Sequence, residues 1–268
     1  MTPAEKIIGI VFQAAEELGL PLMLVGAACR DFWLKRFEVR VNVRATVDVD
    51  LACWVSSWDD YQALQRSLVQ KYRLRRDLRR THRLWLAEEI SVDIVPFGGI
   101  ESDEGEIAWP PDFDRTLNVL GFQAAYRDAL DAEVELGTIR VIRPHWLAFL
   151  KMNAFVDNQE RTKDLTDLYV LADNYIDLID TDRLLYAPNA PDGDILTLEG
   201  FDVRIGGAML IARNCCRSDL CAARALQDNV RKFNVNGVLT NAFCASNGIP
   251  LEMAEAIVDS LLAPFPSP

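Results

Sequence analysis

Apolar residues recur every three or four positions over residues 4–18, with Ile7, Ile8, Val11, Phe12, Ala15 and Leu18 on one face. This period predicts an amphipathic helix, closed by Pro21. Leu22, Met23, Leu24 and Val25 form an unbroken apolar run that reads as a short buried strand, and Gly26 opens a helix towards Phe37. Residues 46–55 alternate and read as a strand. Ser56 or Ser57 caps the following helix, which carries Trp58, Tyr61, Leu64, Leu68 and Val69. Residues 83–87 and 91–95 read as two further strands, the second ending at Pro96. Residues 101–116, with Pro110 and Pro111, read as a loop. Residues 133–136 and 138–142 read as a hairpin around Gly137.

After Pro144 the pattern turns helical. Residues 146–156 and 162–175 predict two helices, 187–200 is a loop rich in Pro, Gly and Asp, and further helices start near Ser218, Asn236 and Pro250. The fold class expected is α+β: a mixed sheet flanked by helices over residues 1–143, followed by a helical region over 144–268.

Composition narrows the picture. A net charge of −12 argues against a protein that coats nucleic acid non-specifically. Within this acidic chain, Lys71, Arg73, Arg75, Arg76, Arg79, Arg80 and Arg83 form a local basic run. It is a candidate footprint for a polyanion, or equally a solvated edge strand whose cations block edge pairing. No apolar stretch approaches the roughly 20 residues that span a bilayer. The first residues are interrupted by Glu5, Lys6, Glu16 and Glu17, unlike a signal peptide. A cytoplasmic protein without membrane contact is expected. Cys29, Cys53, Cys215, Cys216, Cys221 and Cys244 show neither zinc spacing nor a disulfide framework and are expected to be small buried thiols.

The chemistry concentrates in three segments. In RATVDVDLACW, alternation places Asp48 and Asp50 on one face and Val47, Val49 and Leu51 on the other. Two adjacent carboxylates repel unless a cation separates them, and Mg²⁺ favours hard oxygen ligands. SVDIVPFG adds Asp93 on an apolar strand, where a carboxylate needs a partner. A metal ion is one partner, and a salt bridge to Arg83 is the other. LMLVGAACRDF reads as strand, glycine turn and helix start, a place where unpaired N–H groups receive phosphate. Arg30 there either adds a cation for phosphate or pairs with Asp31.

Together these segments resemble the polymerase-β-like nucleotidyltransferase superfamily: strand, glycine turn, helix, Asp-x-Asp, then a third Asp on a later strand. Within it, RATVDVDLA, VDIVPFGGIE followed by WPP, and LKMNAFVDNQERTKDLTDLYVL are similar to segments of the AbiEii/AbiGii toxin family of bacterial abortive-infection systems. The resemblance spans residues 22–175. GAACRD is also similar to the turn of tRNA CCA-adding enzymes and poly(A) polymerases. Two departures stand out. The turn is Gly26-Ala27 and lacks the usual second glycine or serine, and an insertion over residues 38–44 reads as a loop near the site.

The resemblance implies an NTP-dependent transferase with two Mg²⁺ (or Mn²⁺) ions held by Asp48, Asp50 and Asp93. It implies nucleotide contacts from Gly26, Ala27, Arg30, Lys151, Lys163 and Asp164. On spacing alone, Asp164 and Asp167 share a face near a helix N-terminus and read as capping charges. Arg73, Arg75, Arg76, Arg79 and Arg80 are candidate nucleic-acid contacts. The acceptor implied is a hydroxyl of RNA or a tRNA 3′ end, of a protein, or of a small molecule, and an antitoxin protein is an implied partner. The alternative is a catalytically weak nucleotide-binding or regulatory module of the same fold, which the Ala27 substitution favours. His82 and His145 read as structural or solvated, and Trp109 as a loop anchor rather than a base-stacking residue.

Overall fold

The computed structural model describes residues 2–41, 48–87, 90–134, 137–198 and 200–263. The expected strand residues Thr46 and Val47, the insertion residues 42–44 and the hairpin residues Glu135 and Leu136 lie outside them. The chain divides into two compact units. The first comprises residues 1–31 and 42–143, the second residues 32–41 and 144–268.

In the first unit, helix α1 (Pro3–Glu16) starts at a reciprocal cap: the Thr2 hydroxyl accepts from the Glu5 N–H, and the Glu5 carboxylate accepts from the Thr2 N–H. Ile7, Val11, Ala14 and Ala15 form its buried face, while Leu18 lies beyond the helix and is exposed. Strand β1 (Leu22–Val25) is buried throughout, and α2 (Gly26–Arg36), whose residues from Phe32 on are counted in the second unit, follows without a loop. Strand β2 (Asp48–Val55) leads to α3 (Trp58–Gln70), which Ser57 caps together with Asp60. Then come β3 (Arg75–Arg76), β4 (Arg83–Leu86) and β5 (Ile90–Gly98). Strand β5 does not end at Pro96. Proline's fixed φ suits extended backbone and costs only one ladder N–H, so Pro96 pairs in register with Cys53 and the strand continues.

The segment expected to be all loop contains a two-stranded sheet of β6 (Glu106–Ala108) and β7 (Thr116–Asn118). Its strands are three residues long, too short for an alternation to register. Helix α4 (Phe122–Asp128), β8 (Leu130–Val134) and β9 (Gly137–Val141) complete the unit.

Seven strands form one mixed sheet in the order β3-β4-β5-β2-β1-β9-β8. The central pair, β2 and β5, is parallel; β2 is antiparallel to β1, and β5 is antiparallel to β4. Val49, Leu51, Leu84, Val92 and Ile94 are fully buried on one face, with α1 and α3 packed against β2. The opposite face of the same strands carries the acidic residues. Burial of the apolar face fixes the register, because a slip of one residue would drive the carboxylates into the core.

The second unit is helical: α5 (Pro144–Asp157), α6 (Thr162–Asn174), α7 (Val203–Ser218), α8 (Leu220–Phe233), α9 (Val238–Asn247) and α10 (Leu251–Leu262). Helix α5 is buried on almost every side, with Trp146, Phe149 and Phe155 at its heart. Gly207 lets α7 approach the end of α6, since a Cβ there would lie 2.0 Å from the Ala172 carbonyl oxygen. Among the described residues no helix is long and apolar enough to cross a membrane. Cys29, Cys53 and Cys215 are buried as expected, whereas Cys221 is exposed on α8.

Candidate active site

Sheet register assembles the acidic group. Asp50 on β2 stands directly opposite Asp93 on β5, and Asp93 stands opposite Arg83 on β4. Directly opposed residues project on the same face, so these three strands present a transverse row Asp50–Asp93–Arg83. Asp48 lies two residues along β2, on the same face, opposite Ser91. On the other side of Asp50 is the end of β1, where Val25 pairs with it and Gly26 turns into α2.

Gly26 has φ +66°, and a Cβ there would fall 2.1 Å from Asp50 Oδ2. The glycine therefore does two things: it permits the left-handed backbone and leaves room for the carboxylate. Gly26→Ala is expected to lower stability by about 2–4 kcal/mol, combining backbone strain with overpacking. Denaturant unfolding checks this, and wild-type stability would show that Asp50 does not press on the turn.

Arg83 supplies positive charge to the row. Its Nε donates to Asp93 Oδ1 at 2.6 Å, and its Nη2 donates to Asp93 Oδ2 at 2.7 Å and to Asp48 Oδ2 at 3.4 Å. The hydrogen bonds from Arg83 to Asp93 raise the arginine pKa further, against the opposing effect of burial. The salt bridge to Arg83 expected as one partner of Asp93 is formed. The Asp48 side chain is 52% exposed, against 13% for both Asp93 and Arg83.

His82 Nε2 is 3.9 Å from Asp93 Oδ2. Burial holds the imidazole below its ordinary pKa in spite of that carboxylate. Its ring leans on Trp109, which also packs on Trp58 and Tyr61. Trp109 is thus a packed loop anchor.

Arg30 is buried and donates from Nε and Nη2 to Asp31 Oδ1 at 2.9 and 2.6 Å. Gly26 and Ala27 lie at the start of α2, partly exposed. Arg73, Arg75, Arg76, Arg79 and Arg80 are all exposed, on the edge strand β3 and its flanking turns. Asp77 organises that turn. It accepts from the Trp85 indole N–H at 2.9 Å and from the N–H groups of Arg79 and Arg80. These donors, the indole foremost, hold its carboxyl at about 2.

Lys151, Lys163 and Asp164 belong to the second unit. Lys163 is exposed on α6. Lys151 is buried, with its ammonium 3.0 Å from Asp164 and 2.5 Å from Asp167; Arg161 adds a 2.6 Å contact to Asp164. Burial is the largest influence on Lys151 and would lower its pKa, yet the two carboxylates outweigh it and the net shift is upward. Burial likewise acts to raise Asp164, and Lys151 with Arg161 overcomes it, leaving that carboxyl lowered. His145 is also structural, with Nδ1 3.1 Å from the Tyr175 hydroxyl.

The donor set of Asp48, Asp50 and Asp93 suits a hard divalent cation, and the glycine turn leaves the space beside Asp50 free of side chain. Among the described residues, no three acidic, histidine or cysteine side chains already converge as a metal cluster. As the side chains stand, the guanidinium of Arg83 provides the cation between Asp48 and Asp93.

No family model matches the chain, and no similar protein of curated function is found. Among solved structures, it is similar to an antigenic nucleotidyltransferase-like protein from Paracoccidioides brasiliensis (14% identity, 84% of this chain and 92% of that one, TM-score 0.40). It is also similar to the antibiotic-resistance factor ANT(2″)-Ia in solution (15% identity, 86% and 91%, TM-score 0.35). A crystal structure of ANT(2″)-Ia with adenylyl-2″-tobramycin gives 16% identity, 88% and 99%, and a TM-score of 0.37. Likeness at this level assigns neither an activity nor an acceptor.

Proposed function

We propose that the first unit catalyses metal-dependent nucleotidyl transfer from an NTP to an acceptor hydroxyl. The observation that carries the reading is the row of carboxylates: Asp50 and Asp93 in register on parallel neighbours, Asp48 on the same face, and the Gly26 turn pressed against Asp50. Three carboxylates and one arginine leave net negative charge on one sheet face, which a divalent cation would offset. The resemblance of residues 22–175 to the AbiEii/AbiGii family agrees with it.

In this reading Asp48 and Asp50 would hold Mg²⁺ and Asp93 a second ion, which when bound neutralise the triphosphate and lower the pKa of the acceptor hydroxyl. The first N–H groups of α2, opened by Gly26 and Ala27, receive phosphate oxygens. Asp93, held by both its oxygens on Arg83, orients the acceptor hydroxyl and takes its proton. A bond forms from the acceptor oxygen to the α-phosphorus, the bond from that phosphorus to the bridging oxygen of the leaving group breaks, and pyrophosphate departs. The acceptor proposed is the 3′ end of an RNA, for which the exposed arginines of β3 and its turns supply phosphate contacts.

A second reading is a nucleotide-binding module without transfer, favoured by Ala27 in the turn and by the double grip of Arg83 on Asp93. Incubation with each α-labelled NTP, Mg²⁺ and total RNA separates the two. Label incorporated into RNA is the expected result. Label in protein or a small molecule would keep the transfer and replace the acceptor. Absence of any labelled product would leave the module. A toxin role, with its antitoxin partner, predicts growth arrest on induction that Asp50→Asn relieves.

A further inference from the structure

A second transverse row runs beside the acidic one. Arg75 on β3 is opposite Trp85 on β4, Trp85 is opposite Ser91 on β5, and Ser91 is opposite Asp48 on β2. By the same register rule, Arg75, Trp85, Ser91 and Asp48 project on the face that carries Asp50, Asp93 and Arg83. Trp85 is therefore on the acidic face and is partly exposed, while Ser91 between it and Asp48 is buried. Its indole is held in orientation at two points. The ring N–H is bonded to Asp77, and the Arg75 guanidinium lies 5.9 Å from the ring centroid. An indole fixed in this way has little rotamer freedom left to lose when something stacks on it.

We infer that Trp85, braced by Arg75 and Asp77, is a stacking platform for a base of a single-stranded polynucleotide acceptor. This deepens the transfer reading and rests on it. Position argues for the acceptor rather than the NTP. The glycine turn that would take the triphosphate adjoins Asp50 on the β1 side, whereas Trp85 is on the β4 side, beyond Ser91 from Asp48. Charge argues for a polynucleotide. Arg73, Arg75, Arg76, Arg79 and Arg80 are exposed along the same sheet edge, and none makes an ion pair among the described residues. Such an edge repels a polycationic small molecule and attracts a phosphate backbone. A π-face beside a row of arginines is the combination that binds single strands with little sequence preference.

The test compares two strands and two proteins, without NTP or Mg²⁺. Anisotropy is measured for an unstructured ten-nucleotide RNA and for a strand of equal length carrying abasic sites. Wild type is expected to bind the abasic strand about 5- to 150-fold more weakly, the range for losing base–aromatic stacking. Trp85→Leu should bind the intact RNA weakly and lose the distinction between strands, with an unchanged salt slope. Trp85→Phe should recover most of it. Arg75→Gln with Arg79→Gln should instead flatten the salt slope. Equal affinity of wild type for both strands, or no RNA binding at all, overturns the platform, and this comparison does not depend on any variant folding. Mg²⁺-dependent NTP affinity of the same preparation, read without RNA, tests the transfer reading separately.

Discussion

Lys151→Met is expected to lower the stability of the second unit by about 3–5 kcal/mol, the cost of leaving buried charge without its partner. Asp164 and Asp167 share the Lys151 ammonium at 3.0 and 2.5 Å, and all three side chains are at most 10% exposed. Removing the ammonium takes from both buried carboxylates the cation they share, while Arg161 keeps its contact to Asp164. Circular dichroism with denaturant checks the value. A loss below about 1 kcal/mol would mean that the carboxylates reach water or another cation. The same cluster sets a pH window. Asp164 is lowered on folding, so its contribution is present above the unfolded carboxylate range and is lost as pH falls through the depressed folded value. Lys151 is raised, so its contribution is complete below the ordinary lysine value and is lost as pH rises through the folded one. Stability from this cluster should be flat across neutral pH and fall at both extremes. In Lys151→Met, with the carboxylates disfavoured, mild acid should stabilise.

Asp93→Asn is expected to abolish label transfer while NTP binding through Asp48 and Asp50 persists. Losing the group that orients the acceptor and takes its proton should cost several kcal/mol of barrier, at about 1.4 kcal/mol per tenfold in rate. A stability cost accompanies it. The amide cannot reproduce the two bonds from Arg83, and the pair is only 13% exposed. The loss should approach, without reaching, the roughly 3–5 kcal/mol of a fully buried pair. Arg83→Met added to Asp93→Asn should restore most of that stability and none of the transfer. Transfer restored with the fold would assign Asp93 to structure alone.

The sequence displayed part of this site and concealed part of it, for separable reasons. A strand's two-residue period puts Asp48 and Asp50 on one face whatever the sheet does, so their alignment was readable. That Asp50 faces Asp93 depends on β2 pairing in parallel with β5 across some 40 intervening positions, and no local pattern encodes register over that distance. Arg83 is legible as a partner for Asp93, since its antiparallel pairing follows from the short β4–β5 connection. Trp85 gives no signal in the sequence, because a lone aromatic in an apolar strand looks like core and only register shows which face it takes. Lys151 carried a readable signal of another kind. It is the one charged residue between Trp146 and Val156, and a helix apolar on all sides leaves a lysine nowhere to go but a buried pair. The start of α7 is hidden in the sequence, because Gly206 and Gly207 interrupt helical propensity for the sake of close packing. The strands β6 and β7 are too short to show a period.

The claim on which the account turns is that Asp48 and Asp50 hold the metal of a bound nucleotide. Titration of NTP against wild type, Asp48→Asn and Asp50→Asn, each with and without Mg²⁺, measures it directly. The expected result is Mg²⁺-dependent affinity in wild type that is lost in both variants, with the fold retained. Mg²⁺-dependent NTP affinity that survives unchanged in both variants would contradict it.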